Sequence, residues 1–214
     1  MSSWAPGQAL NDWQLMLHGV YGDRNSERDQ YKLFAHLVEV AGGFSKATRK
    51  GLPALAPNYL AKLFAWLCAL ATKLGYRDLE TVVWQKYPHA CPYCQSAVCN
   101  CPPADRPPLQ HTAVRRLQSE NRHLRPRALS GWQAMFRDVY GVPSSFLGQA
   151  GTAAPGTRLQ LVAGSNRLHE ELSELAEAMR LEHVFPIAVT SELADVFGWM
   201  MAVANVLPTR MACR

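Results

Sequence analysis

Apolar residues recur every three or four positions through most of this chain, and no segment alternates apolar and polar residues between hairpin turns. Leu168, Leu172, Leu175, Ala176 and Met179 form one such stripe, the spacing that gathers side chains on one helix face. Between Leu193 and Leu207 the stripe widens until Val196, Phe197, Trp199, Met200, Met201 and Val203 cover nearly the whole circumference. Such a helix is buried on all sides. Ser191 is a suitable N-cap for it, Pro208 a suitable stop, and Pro186 falls in the loop before it. The pattern predicts an all-α protein whose helices pack as a bundle.

The pattern also repeats. WQLMLHGVYG (13–22) answers to WQAMFRDVYG (132–141), EVAGGFSKATR (39–49) to EELSELAEAMR (170–180), and YLAKLFAWL (59–67) to ELADVFGWM (192–200). The order is kept while the spacers differ, which predicts two copies of one helical unit, 1–90 and 130–214. The segment 91–129 then joins them, with PPADRPP (102–108) as its least structured part.

Composition narrows the class without deciding it. The 214 residues are 48% apolar and 18% charged, as in an ordinary globular chain. No window offers the roughly 18–20 uninterrupted apolar residues of a membrane span, and the start lacks a basic stretch followed by an apolar core. A cytoplasmic protein that does not enter membranes is the expectation. Much of the net charge of +5 comes from VRRLQSENRHLRPR (114–127). That segment reads as a solvated linker or helix face rather than a nucleic-acid contact.

Against this apolar background the acids stand out. Residues three apart on a helix lie about 60° around the axis, so Glu171 and Glu174 share a face, as do Glu192 and Asp195. The second pair sits on the helix that the pattern predicts to be buried. Two like charges there need pairing or a metal, and few cations are near in sequence. Four carboxylates from two helices make a hard, oxygen-rich site suited to Mg²⁺ or Mn²⁺. Glu170, at its edge, is spaced to orient a water or take its proton.

HEELSELAEAMR followed by SELADVFGWMMAVAN resembles the MazG-like all-α nucleotide pyrophosphohydrolases, whose pattern is EExxE followed by ExxD. VYGDRNSERD and WQKYPHACPYCQSAVCNC in the first copy look like a subgroup of the same superfamily. The resemblance implies two MazG-like repeats packed as a pseudo-dimeric bundle, as a monomer or again as a homodimer. It also implies Mg²⁺-dependent cleavage between the α- and β-phosphates of a nucleoside triphosphate, releasing a monophosphate and pyrophosphate. Glu171, Glu174, Glu192 and Asp195 would then be the metal ligands. Asn205 would contact base or sugar, or else bond the helix end. Trp199 would stack on a base or serve the core. In the first copy Val40, Gly43, Tyr59 and Lys62 stand where the ligand acids should be, so this copy is expected to be inactive. Lys62, with Lys46 or Arg49, would face the substrate phosphates or the acids of the other copy, or its head would reach into water.

Six cysteines complete the candidate chemistry, with Cys68 in an apolar helix and Cys213 in the tail. Cys91, Cys94, Cys99 and Cys101 are spaced C-x₂-C-x₄-C-x-C, a compressed form of a four-thiolate structural zinc site, with His89 and His111 as substitutes. No βαβ pattern surrounds them to suggest a redox pair. A nucleotide sensor without turnover and a zinc-stabilised adaptor are the competing functions.

Overall fold

The computed structural model describes residues 7–102, 107–141, 158–181 and 185–207. Those residues form an all-helical protein with no strand among them. In chain order the helices are α1 (Leu10–Ser26), α2 (Gln30–Arg49), α3 (Ala56–Lys73), α4 (Leu79–Lys86), α5 (His111–Glu120), α6 (Leu129–Tyr140), α7 (Arg158–Arg180) and α8 (Pro186–Val206). Helices α7 and α8 pack along each other, as do α2 and α3. The two pairs meet where α2 lies on α7 and α3 on α8, while α1 covers α3 and α6 covers α8. The short α4 lies against α8 and has α5 on its other side.

Composition explains the centre. The buried stripe of α7 runs through Leu161, Leu168, Leu172, Leu175 and Met179, and α8 buries Val189, Leu193, Val196, Phe197, Met200 and Val203. Phe197 meets Phe64 of α3 and Phe136 and Trp132 of α6 at ring-centroid distances of 6.1–6.5 Å, offset or edge-on contacts that aromatic quadrupoles favour. The segment Pro53–Lys73 and helix α8 are long and apolar enough to cross a membrane by length and composition alone. In this fold both supply core residues.

Polar side chains lock the periphery. Gln14 of α1 donates to Thr72 Oγ1 and to the Tyr76 carbonyl, and accepts from the Leu79 N–H, so one buried amide fastens three elements. Arg125, from the basic segment, pairs with Glu80 at 3.1 Å and lies over the Trp84 ring. That segment is therefore partly helix α5 and partly a clamp on α4, not only a solvated linker.

Two expectations change at α8. The helix begins at Pro186, whose missing N–H costs nothing in a first turn, so this proline opens the helix instead of lying in the loop. Ser191 sits inside the helix and caps nothing; its hydroxyl accepts from Lys86 at 2.6 Å. Pro208, Cys213 and residues 103–106 of the connector lie outside the described residues.

Candidate functional site

The α7–α8 pair delivers three of the expected acids to one place. Glu171, Glu192 and Asp195 each offer a carboxylate oxygen within 4.8 Å of the other two. Asp195 is buried, and the two glutamates are half-buried. Glu174 stands exposed at the edge, close enough for its charge to be felt by Glu171 and Glu192. Glu170 is also exposed and pairs with Arg167 at 2.5 Å.

The charges are only partly balanced. Burial, then the charges of Asp195, Glu174 and Glu192, push the Glu171 carboxyl up to about 8, with Lys86 opposing. Burial and Asp195 raise Glu192 to about 7. Glu192 Oε2 is buried without a hydrogen-bond partner, which is costly for a carboxylate oxygen. Three crowded carboxyl groups, one of them with a buried and unpartnered oxygen, form a set that could hold a metal ion.

The sequence reading missed the groups that hold Asp195. Lys86, at the end of α4, forms an ion pair with Asp195 Oδ2, and the Tyr87 hydroxyl donates to Oδ1. The side chains of Lys86 and Asp195 are only 8% and 11% exposed. Burial is the largest single influence and works against the Lys86 ammonium, but the charge and hydrogen bond of Asp195, with the charges of Tyr93 and Glu192, together outweigh it and the pKa is raised. Burial and Asp195 together hold the Tyr87 phenol well above its usual range. A carboxylate oxygen has two lone pairs, so these bonds leave Asp195 able to bind a metal while fixing its orientation.

The other expected residues are placed as follows. Trp199 is half-buried against the core. Asn205 donates its amide to the Gln133 carbonyl of α6 at 3.0 Å, a packing bond. Lys62 is exposed with its ammonium 5.9 Å from the centre of the Tyr59 ring. Lys46 and Arg49 are exposed as well. A cleft lined by Leu17, His18, Tyr21 and Arg77 opens by α1 and includes none of the acids.

The four clustered cysteines also converge. One sulfur from each of Cys91, Cys94, Cys99 and Cys101 lies within 4.8 Å of the others, so the set could hold a metal ion such as zinc. Cys91 and Cys101 approach to 3.6 Å between sulfurs. Burial works to raise the Cys94 thiol, yet hydrogen bonds from the Asn100 and Ser96 N–H groups, the Cys91 thiol and the Ser96 hydroxyl together bring it down to about 6. A thiolate at neutral pH is the form that binds metal. His89 is directed at the Leu124 carbonyl, and neither it nor His111 belongs to the cluster.

Comparison with known proteins returns nothing: no family model, curated protein or solved structure matches the chain. What fold and sites define is an all-helical protein with an acidic cluster between two core helices and a four-cysteine cluster beside it.

Proposed function

We propose that the protein is a Mg²⁺- or Mn²⁺-dependent nucleotide pyrophosphohydrolase, converting a nucleoside triphosphate to its monophosphate and pyrophosphate. The observation that carries this is the convergence of Glu171, Glu192 and Asp195, with Glu192 Oε2 buried and unpartnered. These three, with Glu174 at the rim, would hold the ion. A bound divalent cation supplies charge screening for the phosphates and lowers the pKa of water. Lys86 and Tyr87 fix the Asp195 carboxylate, and exposed Glu170 orients or deprotonates the attacking water. Trp199, Asn205 and Lys62 are the proposed substrate contacts. A structural zinc ion on the four cysteines and a cytoplasmic location complete this reading.

A pseudo-dimer of two related repeats is part of the same proposal. Its best support is an antiparallel backbone bridge between Ala9 and Ala128, each four residues before a Trp-Gln pair at the start of its copy. Equivalent residues meet in this way across a two-fold axis.

Incubation with a panel of ribo- and deoxynucleoside triphosphates plus Mg²⁺ or Mn²⁺ tests the activity by pyrophosphate release, with Glu192→Gln as control. Turnover lost in the variant is expected; no turnover of any substrate would reject the enzyme. The second reading is a sensor that binds without hydrolysis: both oxygens of Asp195 already accept a bond from the protein, which leaves fewer of its lone pairs for an ion. Nucleotide binding without pyrophosphate release would select that reading.

A further inference from the structure

The two clusters are mechanically joined. Lys86 and Tyr87, which hold Asp195, precede Cys91 by five and four residues. The intervening chain bends sharply at His89, whose φ of 55° is uncommon for a residue with a side chain. Asn121 holds that bend by donating to the Pro88 carbonyl at 2.8 Å. Tyr87 lies edge-on to Phe136 and Tyr140 of α6, with centroids 5.1 and 6.0 Å away. The same end of α6 receives the cysteine loop, because the Cys99 N–H donates to the Val139 carbonyl at 2.7 Å. The buried Tyr140 hydroxyl lies close enough to Cys91 for that thiol to act on it by charge and hydrogen bonding.

We propose that metal binding at the four cysteines sets the affinity of the acidic cluster for a divalent cation, with Tyr87 as the positioning residue that links them. The proposal rests on reading the acidic cluster as a cation site. A metal on the thiolates fixes the Cys91 end of the bend and, with it, the Tyr87 ring against Phe136 and Tyr140. The Tyr87 hydroxyl then holds Asp195 in the orientation that the cation needs. Without the metal, four crowded thiols lose their common partner and the loop is left to hydrogen bonds such as those from the Asn121 amide and the Cys99 N–H. Outer-shell partners of this kind typically change metal affinity by about 10–100-fold.

Mn²⁺ binding, followed by the electron paramagnetic resonance of the free ion, tests the link without relying on turnover. The zinc-loaded full chain should bind Mn²⁺ about tenfold more tightly than the zinc-stripped chain, and zinc should restore the difference. Tyr87→Phe should keep its zinc, by elemental analysis, yet bind Mn²⁺ as weakly as the stripped protein. Glu192→Gln identifies the signal from the acidic cluster. Equal Mn²⁺ affinity in stripped and loaded chains of the same circular dichroism overturns the coupling and leaves the cation site standing. If stripping unfolds the chain, zinc-loaded Tyr87→Phe decides, and wild-type Mn²⁺ affinity in it overturns the proposal. No Mn²⁺ binding to the zinc-loaded wild type overturns both the coupling and the cation-site reading.

Discussion

On α7 and α8, Glu171, Glu192 and Asp195 crowd their carboxylates together. At the corresponding sequence positions on α2 and α3 stand Val40, Tyr59 and Lys62, and Gly43 takes the place of Glu174. The first face is closed by an aromatic ring. A Cβ built on Gly43 would lie 2.5 Å from Tyr59 Cε1, so the missing side chain at 43 is what admits the ring. Lys62 then rests its ammonium above that ring. Around these differences the packing residues agree: Leu60 matches Leu193, Phe64 matches Phe197, and all four are buried. An outer contact recurs at the matching sequence positions too, His36 to Glu39 at 3.3 Å and Arg167 to Glu170 at 2.5 Å. Helix packing is therefore satisfied with or without the acids. On the α7–α8 face they remain, at the cost of an orphaned buried oxygen.

The sharpest break in this comparison is between the two lysines. Lys86→Met leaves the Asp195 charge buried without its ion-pair partner, and removing one member of a buried pair costs about 3–5 kcal/mol. Lys62→Met removes an exposed cation above a ring, worth about 0.5–1 kcal/mol. Denaturant unfolding of both variants measures the contrast, and equal losses would mean that Lys86 is no more than a surface lysine.

That contrast also marks what the sequence could and could not reveal. The stripe through Leu168, Leu172, Leu175 and Met179 and the wholly apolar 193–207 run were legible as helices, because local spacing alone decides which faces are buried. The acids were legible as well, since i, i+3 spacing puts each pair on one face. Three of the four meet with oxygens in close range. Lys86 and Tyr87 were not found, because their bonds to Asp195 span 109 and 108 residues and depend on where α4 docks. A signal was present: Lys86 lies two residues after the apolar run Val82–Trp84, and a lysine on a short, mostly buried helix calls for a buried carboxylate. The N-cap assigned to Ser191 failed for a related reason. The helix starts five residues before Ser191, at a proline whose local sequence suits a loop as well as a first turn.

A second contrast is in pH dependence. Glu171 and Glu192 have folded-state pKa values of about 8 and about 7, above the 4.5 of an ordinary glutamate. The folded chain thus keeps protons that the unfolded chain has released, and stability falls as pH rises wherever the native state binds more protons. Their contribution is fully present below about pH 4.5 and is lost progressively up to about pH 8. The Tm of the metal-free protein should therefore drop across that window, and Mg²⁺ should offset the drop most at its alkaline end. In Glu171→Gln/Glu192→Gln the slope should flatten, because the α2–α3 face has no acids at the matching positions to replace it. An unchanged slope in that variant would place the titration elsewhere.

The closed face makes a smaller prediction. Replacing a helical glycine by alanine ordinarily gains about 1 kcal/mol, but at Gly43 the new methyl meets the Tyr59 ring, and overpacking costs about 1–3 kcal/mol. Gly43→Ala should destabilise the wild type by about 1 kcal/mol and stabilise Tyr59→Ala by a similar amount. A double-mutant cycle in urea reads this as a change of sign. The same sign in both backgrounds would show that the ring does not depend on the glycine.

The smallest stability effect separates chemistry from structure at the outer contact. The side chains of Glu170 and Glu39 are 52% and 77% exposed, and each pairs with a basic residue three positions earlier. Exposed pairs of this kind contribute less than about 1 kcal/mol. Glu170→Gln and Glu39→Gln should therefore both leave the Tm nearly unchanged. If Glu170 orients or deprotonates the attacking water, only Glu170→Gln lowers kcat, by about 10²–10⁴-fold, with KM and Mn²⁺ affinity preserved. Two variants equal in stability and unequal in turnover would assign the carboxylate a part in the reaction. Two variants equal in both would leave Glu170 as it stands in the fold, an exposed acid beside Arg167 whose sequence counterpart Glu39 is exposed in the same way.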